Sequence, residues 1–153
     1  MSTTSVMEDD LLGDAILLAS RLLLAWIFVH EGLWLAVNFD AAATGMAKMG
    51  VPASALVLTI ALQLGAGMAI ALGCYAQPAA AFLGLFCLLT ATQFHANFAI
   101  RNELLHFEKD LAISGGMFVL MLRGAGRWSL DRLRQSRREV SRSEPTALSS
   151  WRG

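Results

Sequence analysis

Seven side chains with chemical capability stand inside stretches that are otherwise almost wholly apolar: His30, Glu31, Gln63, His95, His106, Lys109 and Asp110. They include every histidine of the chain. Imidazoles with a carboxylate can hold a transition metal, and two histidines on different helices can ligate haem. Histidine with Asp or Glu can also give and take protons beside a quinone while electrons pass. Arg21 is an eighth candidate, deeper in the same apolar run as His30. Ionisable groups in apolar runs are costly unless they meet one another or line a cavity, so they point to function by default. A packing lattice of polar side chains is the plainer alternative.

The segment Glu103 to Asp131 shows what must position these groups. Its fully apolar part, Leu111 to Leu122, would cover roughly 18 Å as a helix, against a hydrocarbon core of about 30 Å. Arg123, Gly124 and Gly126 end it, so the helix must extend upstream and carry Asp110, Lys109, Glu108 and His106 to membrane depth. His106, Asp110 and Ser114 then share one face, which lets Asp110 fix a histidine tautomer. Arg21 and His30 are nine residues apart and fall on roughly opposite faces of their helix.

Four spans follow from hydropathy, at about residues 11–38, 51–73, 79–100 and 103–122, giving an all-α integral membrane four-helix bundle. Residues 1–10 read as an acidic tail, 11–131 as the membrane domain and 132–153 as an Arg- and Ser-rich tail. Residues 39–50 read as a loop with one surface turn. Pro52 suits the first turn of the second helix. Ala61, Gly65, Ala69 and Gly73 recur every fourth residue, a ridge that admits a neighbouring helix. Ser129 to Asp131 can cap a short amphipathic helix containing Leu130, Leu133 and Arg134.

The chain has no net charge, but its acids gather at the start and eight arginines lie from Arg123 onward. With an even number of spans, that bias predicts both termini in the cytoplasm. The same bias accounts for the basic run without nucleic acid, and those arginines can also touch anionic headgroups. The acidic start lacks a basic n-region, so a cleaved signal peptide is not expected. Cys74 and Cys87 form no CxxC pair, and no dinucleotide fingerprint or iron–sulfur spacing is present, which argues against a complete redox enzyme in one chain.

The runs RLLLAWIFVHEG from Arg21, QLGAGMAIALG at 63–73, FHANF at 94–98, HFEKDLAISGG at 106–116 and GAGRWSLD at 124–131 together resemble the DoxX family of small bacterial membrane proteins. The likeness covers about residues 14–131. It implies a four-helix bundle in the inner membrane, related to the DoxD-type subunit of thiosulfate:quinone oxidoreductase. It carries Arg21, Gln63, His95, Lys109, Asp110 and Asp131 as family-like residues, with Ser129 and Asp131 shaping the end of the fourth helix. The family often has Glu where this chain has Gln63, which removes one proton carrier.

The reading carried forward is a redox-associated membrane subunit with quinone-linked electron transfer. Its catalytic set is Glu31, His95, His106, Lys109 and Asp110, its cofactor-binding set Arg21, His30, Gln63 and His95. A metal or haem would fall to His30, His95 and His106. The primary redox centre would belong to a partner protein in or on the bilayer. The alternatives are a non-catalytic assembly partner, including a homo-oligomer, and a small-solute or metal transporter.

Overall fold

The computed structural model describes residues 3–94 and 98–138, and every regular element among them is helical. The order is α1 (Thr3–Val37), α2 (Phe39–Lys48), α3 (Ala53–Leu72), α4 (Ala76–Phe94) and α5 (Arg101–Arg123). A sixth helix, α6, covers 130–138. Among the described residues three helices are long and apolar enough to cross a membrane: α1 over Leu11–Val37, α3 and α4. The fourth expected span, α5, has 23 residues and thus the length, but its first half carries Glu103, Glu108, Lys109 and Asp110.

Two local expectations are corrected. The segment 39–50 is mostly helix rather than loop. Asp40 lies in the first turn of α2 and Lys48 in its last, each on the favourable end of the helix dipole. Asn38 interrupts α1 by donating its side-chain amide to the Trp34 carbonyl. Gly50, in the left-handed region at φ 74°, turns the chain after α2. Pro52 then stands at the N-cap of α3, extended at φ −72° and ψ 152°. Helix α1 begins at Thr3, upstream of the apolar run.

The second correction concerns the small-residue ridge. A Cβ at Gly65 would meet nothing within 4 Å, so this face of α3 looks outward. The close approach of α1 and α3 is made instead by Gly67, against Phe28 and Val29, and by Gly32, against Gln63 and Leu64. The four-residue spacing runs through Gly65, which meets no neighbour, while the helix contact lies two residues on, at Gly67.

On the other side α4 packs along α5. Gly84 lets Met117 and Phe118 come close, and Ser114, almost fully buried, donates to the Gly84 carbonyl at 3.0 Å. The shared core joins Ala25 and Phe28 of α1, Ile70 of α3, Leu83 and Cys87 of α4, and Met117 of α5. Large apolar side chains cover the outside, among them Leu23, Trp26, Leu58, Phe82, Leu85 and Val119. A surface so apolar over this extent is unlike that of a soluble monomer and fits contact with lipid.

Candidate functional site: a cavity and a clasp at opposite ends

The polar residues of the bundle divide into two groups. The first lines a cavity of about 580 Å³ between α1, α3, α4 and α5, bordered by α2. Glu31, Gln63, Lys109 and Asp110 all face it, as do Glu103, Thr90 and Cys87. Its walls are apolar, with Ile27, Phe28, Leu56, Phe86, Phe94 and Ile113, and Met46 and Met49 come from the α2 region. Glu31 and Lys109 are exposed, whereas Gln63 and Cys87 are buried. The cavity therefore grades from a charged rim to an interior with few polar atoms.

Gln63 is 8% exposed, and its Oε1 has no hydrogen-bond partner among the described residues. A buried acceptor left unpaired costs about 1–3 kcal/mol, so the cavity favours a ligand or solvent that donates to it. Thr90 Oγ1 lies 3.4 Å from Asp110 Oδ2 and 3.1 Å from the Phe86 and Cys87 carbonyls. That contact places an α4 hydroxyl beside the α5 carboxylate. Lys109 Nζ and His106 Nδ1 are 3.5 Å apart on successive turns of α5.

The expected cluster is thus assembled in part. Glu31, Gln63, Lys109 and Asp110 converge, and His106 is half-buried next to Lys109. His30 is exposed on the outer face of α1 and stacks on Trp26, with ring centroids 5.9 Å apart. One residue of helix turns a side chain by about 100°, which separates His30 from Glu31. His95 lies outside the described residues. Among those described, no group of three or more His, Cys, Asp or Glu side chains could hold a metal ion. Glu103 was missed from sequence, although it precedes Asp110 by seven residues and so shares its inward face. Thr90 and Cys87 carry no distinguishing sequence signal, since single small polar residues in apolar helices are commonplace.

The second group ties the other end of the bundle. Arg21, 3% exposed, donates to the carbonyls of Ala125, Trp128 (3.0 Å) and Ala71 (3.4 Å). It joins α1 to the end of α3 and to the chain after α5. Arg21 is ten residues before Glu31, roughly 15 Å along the helix, and does not line the cavity. Its two Nη groups donate to backbone oxygens, while its buried Nε has no partner among the described residues.

Asp131 completes the clasp. Its carboxylate accepts from the Tyr75 and Ala76 amides at 2.9 and 3.2 Å, capping α4 from a distant part of the chain. Its own amide donates to the Gly73 carbonyl at 2.9 Å. Ser129 Oγ donates to the Gly126 carbonyl and accepts from the Arg132 amide, so it caps α6 as its position suggested. Gly73 is at φ 66°, and a Cβ there would lie 2.5 Å from Ser129 Cβ. The run GAGRWSLD is therefore a fastening, built of carbonyls, one cap and close contacts.

Known proteins bear on both groups. The family profile described as DoxX matches residues 16–96. Inner membrane protein YqjF of Escherichia coli (strain K12) is 39% identical over 122 residues, covering 80% of this chain and 94% of that protein. Inner membrane protein YphA of the same organism is 27% identical over 139 residues, covering 86% of this chain and 99% of that protein. No solved structure matches the chain. With a profile match over more than half of its length and so similar a relative, this chain is a membrane protein of the DoxX family.

Proposed function

We propose that the chain is an inner-membrane subunit that binds a quinone headgroup in the cavity between α1, α3, α4 and α5, working with a partner that holds the primary redox centre. The observation that carries the reading is Gln63, a buried amide with an unpartnered Oε1 on an apolar-walled cavity whose rim bears Glu31, Glu103, Lys109 and Asp110. Pockets for small lipophilic molecules combine apolar walls with a few placed polar groups. A quinone supplies two-electron, two-proton redox chemistry when bound. Gln63 would accept from a hydroxyl of the reduced form. Asp110, beside Thr90, and Glu31 at the rim would hold and release protons, with Lys109 balancing their charge.

On this reading α5 is the fourth span, its acidic half turned to the cavity and its Leu111, Val119 and Leu122 exposed toward lipid. Four crossings with arginines concentrated after α5 would leave both termini in the cytoplasm. The curated relatives named as inner membrane proteins support that compartment. Titrating a short-tailed quinol into the full-length protein in nanodiscs tests the site. Gln63→Leu should weaken binding by about tenfold, equivalent to about 1.4 kcal/mol, and Asp110→Asn and His95→Ala should impair turnover with the partner. Unchanged affinity in Gln63→Leu and Asp110→Asn together would remove the cavity as the site.

A second reading, a non-catalytic assembly partner, is favoured by the outer face of α3, where Gly65 has no neighbour and Leu58, Met68 and Leu72 are exposed. It predicts that Gly65→Leu breaks a membrane complex while cavity substitutions leave it intact.

A further inference from the structure

At the clasped end lies a second cavity, of about 390 Å³, unlike the first in composition. Arg123, Arg132, Arg134 and Arg138 all line it, and among the described residues Asp131 is its one acidic side chain. Both Asp131 carboxylate oxygens are already engaged by the Tyr75 and Ala76 amides. Among the described residues none of the four arginines has a carboxylate within ion-pair distance; the ion pair at this end belongs to Arg127 and Asp14, at 3.4 Å. Four exposed arginines thus line one space that holds a single, already engaged carboxylate among the described residues.

We propose that this pocket binds the phosphate of an anionic phospholipid headgroup. Arginine presents a planar fork of donors that matches phosphate oxygens, and several forks around one space match a phosphodiester better than a point charge would. Arg134 is held in place before any ligand arrives: its guanidinium lies over the Tyr75 ring, 5.5 Å from the centroid, and Nη1 is 3.1 Å from Cys74 Sγ. The setting selects lipid over a soluble phosphate. Leu122 is exposed one residue before Arg123, and Leu130 and Leu133 are exposed on the helix that carries Arg132, Arg134 and Arg138. Apolar side chains in hydrocarbon beside arginines at its edge put the guanidinium groups at headgroup level. The pocket is separate from the proposed quinone site and does not depend on it.

The test is native mass spectrometry of the full-length protein in a neutral detergent, titrated with phosphatidylglycerol or phosphatidylcholine. Each arginine at an anionic surface contributes a factor of about five in affinity. R132Q/R138Q should therefore lower phosphatidylglycerol affinity about 25-fold and shrink the preference over phosphatidylcholine by about the same factor. R127Q/R137Q removes the same charge at the same end but outside the pocket and should keep that preference. Equal loss in both double variants would overturn the pocket in favour of diffuse surface charge. Displacement of the lipid by millimolar inorganic phosphate would overturn the lipid assignment, because the pocket would then take free phosphate.

Discussion

Replacing Arg21 by Leu separates a structural arginine from a functional one. The guanidinium makes two good hydrogen bonds, to the Ala125 and Trp128 carbonyls, and a longer one of 3.4 Å to Ala71. A hydrogen bond to a charged group contributes about 1.5–3 kcal/mol, and the 3.4 Å contact counts for little. Leucine keeps most of the apolar stem but leaves the carbonyl of Ala125, a residue only 7% exposed, without its donor. The expected loss is about 3–5 kcal/mol, a large share of the roughly 5–15 kcal/mol that holds a typical domain together. Arg21→Lys keeps the charge but cannot reach several carbonyls at once, and should lose about half as much. Reversible unfolding in mixed micelles measures both variants. Quinol affinity of the folded fraction should be unchanged, since the cavity is roughly 15 Å away. An Arg21→Leu protein within about 0.5 kcal/mol of the wild type would refute the clasp, and loss of quinol binding at unchanged stability would return Arg21 to the site.

Other substitutions test the packing and topology. Gly67→Ala should destabilise by about 1–3 kcal/mol, because its Cβ would press Val29 and Phe28, whereas Gly65→Ala should be neutral or stabilising by up to about 1 kcal/mol in the same unfolding measurement. Gly73→Ala should cost more than Gly67→Ala, since it adds a contact at 2.5 Å to a left-handed backbone at φ 66°. Asp131→Ala should cost about 1–2 kcal/mol through loss of the α4 cap, visible as faster amide exchange at Tyr75 and Ala76. In a cysteine-free background, Ser136→Cys should react with an impermeant maleimide only from the cytoplasmic side and Lys48→Cys only from the opposite side; the same side for both would contradict four crossings.

The sequence was most informative where chemistry acts along the chain. Four long helices are legible from apolar runs and from the turn at Gly73, and the cap at Ser129 is legible from residue type. The α2 helix was hidden because Gly45 and the Lys48–Gly50 break resemble a loop, while three consecutive alanines and well-placed end charges favour a helix. Helix rotation was only half legible. Nine-residue spacing set Arg21 and His30 on opposite faces, and they are, one buried and one exposed. Which face looks inward depends on partners far along the chain. Gly32, Gly67 and Gly84 decide it through contacts with α3, α1 and α5 that no local pattern states. For the same reason the contacts of Arg21 were not legible: its three acceptors are backbone oxygens, which every residue has and no motif marks.

The most direct measurement is photocrosslinking with an azido-quinone in native membranes, followed by mapping of the labelled peptides. A quinone seated beside Gln63 predicts label on the facing stretches of α1, α3 and α5, around Phe28, Leu56 and Ile113, and its loss when unlabelled quinone is added or Gln63 is replaced by Leu. Label confined to the lipid-facing side chains Leu23, Leu58 and Phe82, insensitive to both, would contradict a quinone site in the cavity.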